Sequence, residues 1–164
     1  MRKINCIYLD MDGVIADFET RYKELFNILP SQARNNKEFD TYFDKFIADG
    51  NFATLDMMPD AMELITVLRN AAPPTQILSS TASQKRYDAI SKQKKEWLAK
   101  HDIDFQANFV PGKQHKKKYA RKDTLIIDDT ESIITDWRSA GGVAIFHKNI
   151  PDTLAQLKFL LEDA

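Results

Sequence analysis

The sequence has little of what would tie it to an oxidising compartment, a membrane or a polyanion. Its 164 residues include one cysteine, Cys6. One thiol cannot form an internal disulfide, which suits a reducing compartment. Inside an apolar run it reads as a small hydrophobe. No stretch approaches the ~20 consecutive apolar residues of a membrane helix. The first segment does not read as a secretory signal, because Asp10 and Asp12 interrupt its apolar run too early. The formal net charge is −1, so no general field draws the chain to nucleic acid or to an anionic membrane. Repeats and low-complexity segments are also missing. The expectation is a soluble cytoplasmic protein, off the membrane, whose electrostatic recognition is local.

What is present is ordinary for a globular chain: 43% hydrophobic and 29% charged residues. The length fits one domain with a small insertion, and about two thirds of the unfolded surface can be buried at this size. Four short apolar runs predict strands at Ile4–Leu9, Thr75–Ser79, Thr124–Ile127 and Val143–Phe146, with a weaker fifth at Ala107–Val110. Helical periodicity covers residues 60–71, 83–100, 130–139 and 151–161. Met62, Ile65 and Leu68, with Leu64 beside them, define the apolar face of the first, and Pro73–Pro74 stops it. Ser83 is a candidate cap, the 130–139 segment begins with Thr130, and Gly141–Gly142 after it is a helix stop. Strands alternating with helices predict an α/β fold, a Rossmann-like parallel sheet with helices on both faces.

One region breaks the alternation. Between Asp12 and Pro59 two helical patterns, 17–29 and 36–48, replace any strand. The second spaces Phe39, Tyr42, Phe43 and Phe46 as a helix-core stripe, with the alternative that one or two of these rings face a ligand. The predicted layout is a catalytic core of residues 1–16 and 56–164, with a small helical cap at 17–55 inserted after the first strand.

In an open parallel sheet, ligands bind beyond the carboxyl ends of the strands. The first strand ends in Asp10-Met11-Asp12-Gly13, the second in Ser79-Ser80-Thr81, and the 124–127 strand in Asp128-Asp129-Thr130. Strand alternation puts Asp10 and Asp12 on one side, with Met11 turned away. Gly13 allows a close approach or an unusual turn. Four carboxylates with ordinary pKa values near ~4 are all charged at pH 7. Crowding them is costly unless a cation offsets them. A hard divalent ion answers this, and Mg²⁺ fits best, because it takes one or two carboxylates together with waters and a substrate phosphate. Hydroxyls and a lysine beside such an ion suggest a phosphoryl group, which fixed donors and cations stabilise. The basic segment GKQHKKKYARK supplies Lys113, Lys116, Lys117 and Lys118 as candidates. Lys116 shares one face of a short 116–120 helix with Tyr119 and Ala120 and is the first choice, Lys118 the second.

These residues resemble the four motifs of the haloacid dehalogenase (HAD) superfamily of phosphatases. The carriers are DMDGV at 10–14, LSS at 78–80, the lysine-bearing segment and LIIDD at 125–129. YLDMDGVIADFE (8–19) and NFATLDMMPDAMELI (51–65) are similar to the 5′(3′)-deoxyribonucleotidase branch, which carries a small helical cap after the first motif. The resemblance implies Asp10 as nucleophile, through an aspartyl-phosphate intermediate, and Asp12 as acid and then base. It implies Ser80 and Lys116 on the phosphoryl group, with Thr81 beside them. Mg²⁺ would be held by Asp10, Asp128 and the backbone carbonyl of Asp12, with Asp129 behind. Phe18 would stack on the nucleobase, with Phe52 as a second wall. The chain departs from the branch in Ser80, where threonine is usual, in Thr130, where arginine is common, and in an insertion shorter than in mammalian members.

The expected activity is Mg²⁺-dependent hydrolysis of a small phosphate, most simply a deoxynucleoside monophosphate. The same chemistry would also serve a sugar phosphate or a phosphorylated nucleic-acid end. Long nucleic acid is disfavoured, since it needs a basic track. From another class, a non-catalytic binding module on the same scaffold competes; the intact Asp10, Asp12, Ser80, Asp128 and Asp129 speak against it.

Overall fold

The computed structural model describes residues 3–33 and 35–162. Five strands form one sheet: β1 (Cys6–Leu9), β2 (Thr75–Ser80), β3 (Gln106–Val110), β4 (Thr124–Asp128) and β5 (Val143–Phe146). Their order is β3-β2-β1-β4-β5, and every neighbouring pair is parallel. All five predicted strands form. The weakest lies at an edge, where one partner suffices. Every residue of β4 is buried, as expected for a central parallel strand covered on both faces.

The described residues also form six α-helices: α1 (Phe18–Phe26), α2 (Asn36–Ala48), α3 (Ala61–Asn70), α4 (Tyr87–Lys100), α5 (Glu131–Ser139) and α6 (Ile150–Glu162). Strand alternation sorts the core in two. Ile7, Leu9, Ile77, Leu125, Ile127 and Ile145 face α3, α4, α6 and the insertion. Leu78, Ile126 and Ala144 face Ile133, Ile134 and Trp137 of α5.

Several local expectations are corrected. The buried stripe of α3 is Ala61, Leu64, Ile65 and Leu68, whereas Met62 is 43% exposed. Leu64, Ile65 and Leu68 of the predicted face are buried, and Ala61 rather than Met62 completes it. Ser83 caps no helix; α4 begins at Tyr87, after Arg86, and the Ser83 hydroxyl is buried without a partner. The segment that begins with Thr130 forms α5 directly after it. The stop at Gly141–Gly142 holds, with Gly141 at φ 92°. Cys6 is only half-buried.

Between β1 and α3 the described residues hold α1, α2 and 3-10 turns at Pro30–Gln32 and Asn51–Ala53, with no strand. Asp17 caps α1 through the Thr20 N–H, and Asn35 caps α2 through the Glu38 N–H. The two helices meet through rings: Phe26 lies 4.7 Å from Tyr42, and Phe18 5.1 Å from Phe46. Of the predicted stripe, Phe43 and Phe46 are buried, and Phe39 and Tyr42 pack half-buried against the same cluster. This aromatic cluster is continuous with the sheet's core. Polar ties fix it further. The Arg86 guanidinium meets Asp40 and Asp44, Gln93 bonds Ile47 O and the Phe52 N–H, and Trp97 donates to Leu55 O.

The strand order sends the chain outward from β1 to β3 and back to β4 on the other side of β1. The crossovers leave a crevice above β1, where such sheets bind ligands.

Candidate active site

The register brings the acids together. Leu9 pairs with Ile127, so the next residues, Asp10 and Asp128, stand side by side where β1 and β4 end. The Asp10 N–H continues the ladder by donating to Ile127 O at 3.0 Å. Met11 turns away into the core at 1% exposure. Asp10 and Asp12 both line a cleft of about 460 Å³, with Gly13, Phe18, Ser80, Ala82, Lys113, Lys116, Asp129 and Thr130. A larger groove, about 1130 Å³, lies at the opposite, amino ends of β2 and β3. Asp10, Asp12, Asp129, Lys116 and Ser80 converge on the smaller cleft, and chemistry rather than size selects it.

Lys116 stands at the centre. It lies on a 3-10 helix, Lys113–Tyr119, not at the head of a separate 116–120 helix. It is the one buried residue of that segment, so burial separates it from Lys113, Lys117 and Lys118. Lys118 instead meets His115 at the surface. The Lys116 ammonium donates to Asp10 Oδ1 at 2.9 Å and to Asp128 Oδ2 at 2.7 Å. Burial alone would lower its pKa; Asp10 and Asp128 outweigh that and hold it above the ordinary lysine value. Desolvation and the neighbouring Asp128 push the Asp10 carboxyl up, opposed by Lys116 and Lys94. Asp128 is wholly buried, and its second oxygen accepts the Thr130 N–H at 2.9 Å.

Asp129 as a residue is exposed, but its carboxyl turns inward against Gly13. A Cβ on Gly13 would lie 2.0 Å from Asp129 Oδ2, and Gly13 also sits at φ 80°. Glycine is required there on both counts. Loss of solvent around the carboxyl, then the charges of Asp10 and Asp128, push the Asp129 pKa up to about 8. Donor oxygens of Asp10, Asp128 and Asp129 lie within 4.8 Å of one another. An all-carboxylate set of this size suits a hard divalent cation. The Asp12 carboxylate is not in this group and points to Lys94.

Ser80 reaches the cleft, and its hydroxyl oxygen accepts the Ala82 N–H at 3.0 Å. Thr81, expected beside it, does not line the cleft. Its buried hydroxyl donates to Val110 O, because the next residue along an extended chain faces the other way. Phe18 lines the cleft. Phe52, expected as a second wall, is 3% exposed and lies behind Phe18, stacked on it at 5.5 Å and 7°. The cleft therefore has one aromatic wall, backed by another ring.

Lys94 was not anticipated. It lies on α4 at 1% exposure and donates to Asp12 Oδ2 at 2.9 Å, Ser79 Oγ at 2.7 Å and Ser80 O at 2.9 Å. A signal existed: Ile90, Lys94, Trp97 and Leu98 follow i, i+4, i+7, i+8 spacing, which places a lysine inside a buried stripe.

Comparison with known proteins gives a family and a fold. The sequence-family model described as 5′ nucleotidase, deoxy (pyrimidine), cytosolic type C protein matches residues 2–151. No curated protein matches the chain. Among solved structures, a HAD-superfamily hydrolase from Ehrlichia chaffeensis superposes with a TM-score of 0.57 at 12% identity, covering 98% of each chain. A hydrolase from Streptococcus pneumoniae gives 0.56 at 16% identity, over 98% of this chain and 99% of that one. A haloacid dehalogenase-like hydrolase from Burkholderia xenovorans gives 0.55 at 14% identity, over 97% and 88%. At these identities the likeness is one of fold.

Proposed function

The chain belongs to the 5′ nucleotidase, deoxy (pyrimidine), cytosolic type C protein family, and on that premise we propose that it is a Mg²⁺-dependent phosphomonoesterase acting on deoxynucleoside monophosphates in the cytoplasm. The observation that carries this reading is the pairing of Asp10 with Lys116 beside Asp12, Asp128 and Ser80 at one cleft.

Each residue has a role its surroundings support. Lys116 occupies Asp10 Oδ1, which leaves the other oxygen to attack phosphorus. A P–O bond to Asp10 forms as the bond to the leaving oxygen breaks. Asp12 gives its proton to that oxygen, then takes one from the water that cleaves the aspartyl phosphate. The Ser80 oxygen already accepts the Ala82 N–H, so its own proton is free for a phosphoryl oxygen. Lys116 stabilises charge on the transferring group. Asp10, Asp128 and the Asp12 backbone carbonyl, with Asp129 behind, would hold Mg²⁺, which would supply charge to offset the repulsion between a carboxylate nucleophile and an anionic phosphate.

Residues 17–55 act as a small cap on a core of 1–16 and 56–164. Its Phe18 ring offers a face to the base, held rigid by the Phe52 stack. Base stacking of this kind is worth ~1–3 kcal/mol. The cleft, about 460 Å³, suits a mononucleotide better than a polymer.

The test is phosphate release from 5′- and 3′-deoxynucleotides, ribonucleotides, sugar phosphates and a phosphorylated oligonucleotide, with Mg²⁺ and with a chelator. Mg²⁺-dependent release favouring deoxynucleoside monophosphates is expected. A preference for another phosphate would discard the base-stacking role of Phe18. No release from any substrate would favour a non-catalytic binding module.

A further inference from the structure

We propose that Lys94 is a positioning residue for Asp12, the anchor that holds the proton-transferring carboxylate against the end of β2. The inference rests on the acid–base role assigned to Asp12 above and adds a residue to it.

A lysine at 1% exposure is held only where acceptors compensate for lost water. Lys94 has three N–H donors and three acceptors: Asp12 Oδ2, Ser79 Oγ and Ser80 O. Two of the three belong to β2, so the ammonium ties Asp12 to the strand that carries Ser80. The Phe52 ring lies 5.2 Å from the same nitrogen and closes its fourth side. No direction remains from which Lys94 could reach a substrate without breaking one of these bonds.

The Asp12 carboxylate has no comparable support elsewhere. Its Oδ1 is shielded from solvent and has no hydrogen-bond partner. Among the described residues, Lys94 is the only donor its side chain meets. The other acids of the site are held differently: Asp10 by Lys116, and Asp128 by Lys116 and the Thr130 N–H. The acids at the cleft thus meet two buried ammonium groups with separate tasks, Lys116 in its lining and Lys94 behind it. Lys116 serves the nucleophile, and Lys94 fixes the acid. Without Lys94, the Asp12 side chain has nothing to select one rotamer, and proton transfer loses the orientation it needs.

The experiment compares Lys94→Met with the native protein on two substrates in single-turnover reactions read as release of the leaving group, the step before water cleaves the aspartyl phosphate. A deoxynucleoside 5′-monophosphate leaves as an alkoxide that needs a proton. 4-Nitrophenyl phosphate leaves as a stable phenolate that does not. Lys94→Met is expected to slow the nucleotide by about 10- to 100-fold, within the range of general acid catalysis, and the nitrophenyl ester by less than about threefold. KM for the nucleotide should change by less than about threefold, since ground-state binding is untouched. Lys94→Arg should restore part of the loss. In an Asp12→Asn background, adding Lys94→Met should cause no further change, because the two residues act as a unit.

Equal losses on both substrates, a loss confined to KM, or independent effects in the double variant would each overturn the inference. A native protein inactive on both substrates would instead overturn the phosphatase reading. Thermal melting checks folding. If Lys94→Met does not fold, Ser79→Ala, which removes one acceptor of the same ammonium, must show the same substrate dependence at smaller size. Equal losses there would overturn the inference too.

Discussion

Replacing Lys116 by methionine isolates the electrostatic centre of the site. The native ammonium lies 2.9 Å from Asp10 Oδ1 and 2.7 Å from Asp128 Oδ2, and the three side chains are 2%, 9% and 0% exposed. Methionine keeps the packing and removes the charge, leaving two carboxylates facing each other with little water. Removing one partner of a buried ion pair costs ~3–5 kcal/mol. In a chain of this size each kcal/mol moves Tm by about 2–4 °C, so the expected drop is roughly 6–20 °C. The drop depends on pH. Asp10 already has a raised pKa in the folded chain, and losing Lys116 raises it further. An acid whose folded pKa exceeds its unfolded value destabilises the fold above the unfolded value, near ~4, and the penalty grows until pH passes the folded value. The loss should therefore be large at pH 8, smaller at pH 5, and partly recovered by Mg²⁺. Melting curves in chelator and in Mg²⁺ at both pH values measure it. A loss under about 1 kcal/mol at pH 8, the range of a surface pair, or one that ignores pH would refute the reasoning.

Three other expectations concern the same cleft. Gly13→Ala meets a positive φ and an Asp129 carboxyl 2.0 Å from the new Cβ; it should cost at least ~1–2 kcal/mol from backbone alone and weaken Mg²⁺ binding in calorimetry, and unchanged affinity would contradict the contact. Burial and the charges of Asp10 and Asp128 push the Asp129 pKa up to about 8, so the group removes stability as pH rises from ~4 toward that value, and a cation must displace its proton. The Tm gained from Mg²⁺ should accordingly be larger at pH 9 than at pH 6, and a gain flat with pH would exclude this linkage. Phe18→Ala should raise KM for nucleotides by about 5- to 150-fold, the equivalent of one base stack, with little change for a small aryl phosphate; equal changes would make Phe18 a packing residue.

The acids of the site were legible because two apolar runs end in them, and period-two alternation orients the residues just beyond a strand's end. The same alternation sets Thr81 opposite Ser80, and applying it one residue further removes Thr81 from the site. Lys116 was legible from its spacing to Tyr119 and Ala120, although the segment coils as a 3-10 helix. Lys94 was obscured by Lys92 and Lys95 beside it. Only the burial of Ile90, Trp97 and Leu98 around it shows that its face turns inward. The aromatics were hardest to read. Helical spacing identifies the core stripe of α2, but not which side of a ring faces a cleft. Phe52 satisfies its own stacking preference on Phe18 rather than opposing it across a ligand.

The central claim is that Asp10 is phosphorylated during turnover. The direct measurement is to quench the working protein with Mg²⁺ and substrate, reduce it with borohydride, which converts an aspartyl phosphate to homoserine, and map the digest by mass spectrometry. The account predicts homoserine at position 10 alone, dependent on substrate and missing in Asp10→Asn, which should fold but not turn over. Sustained turnover by Asp10→Asn, or trapping at any other residue, would contradict it.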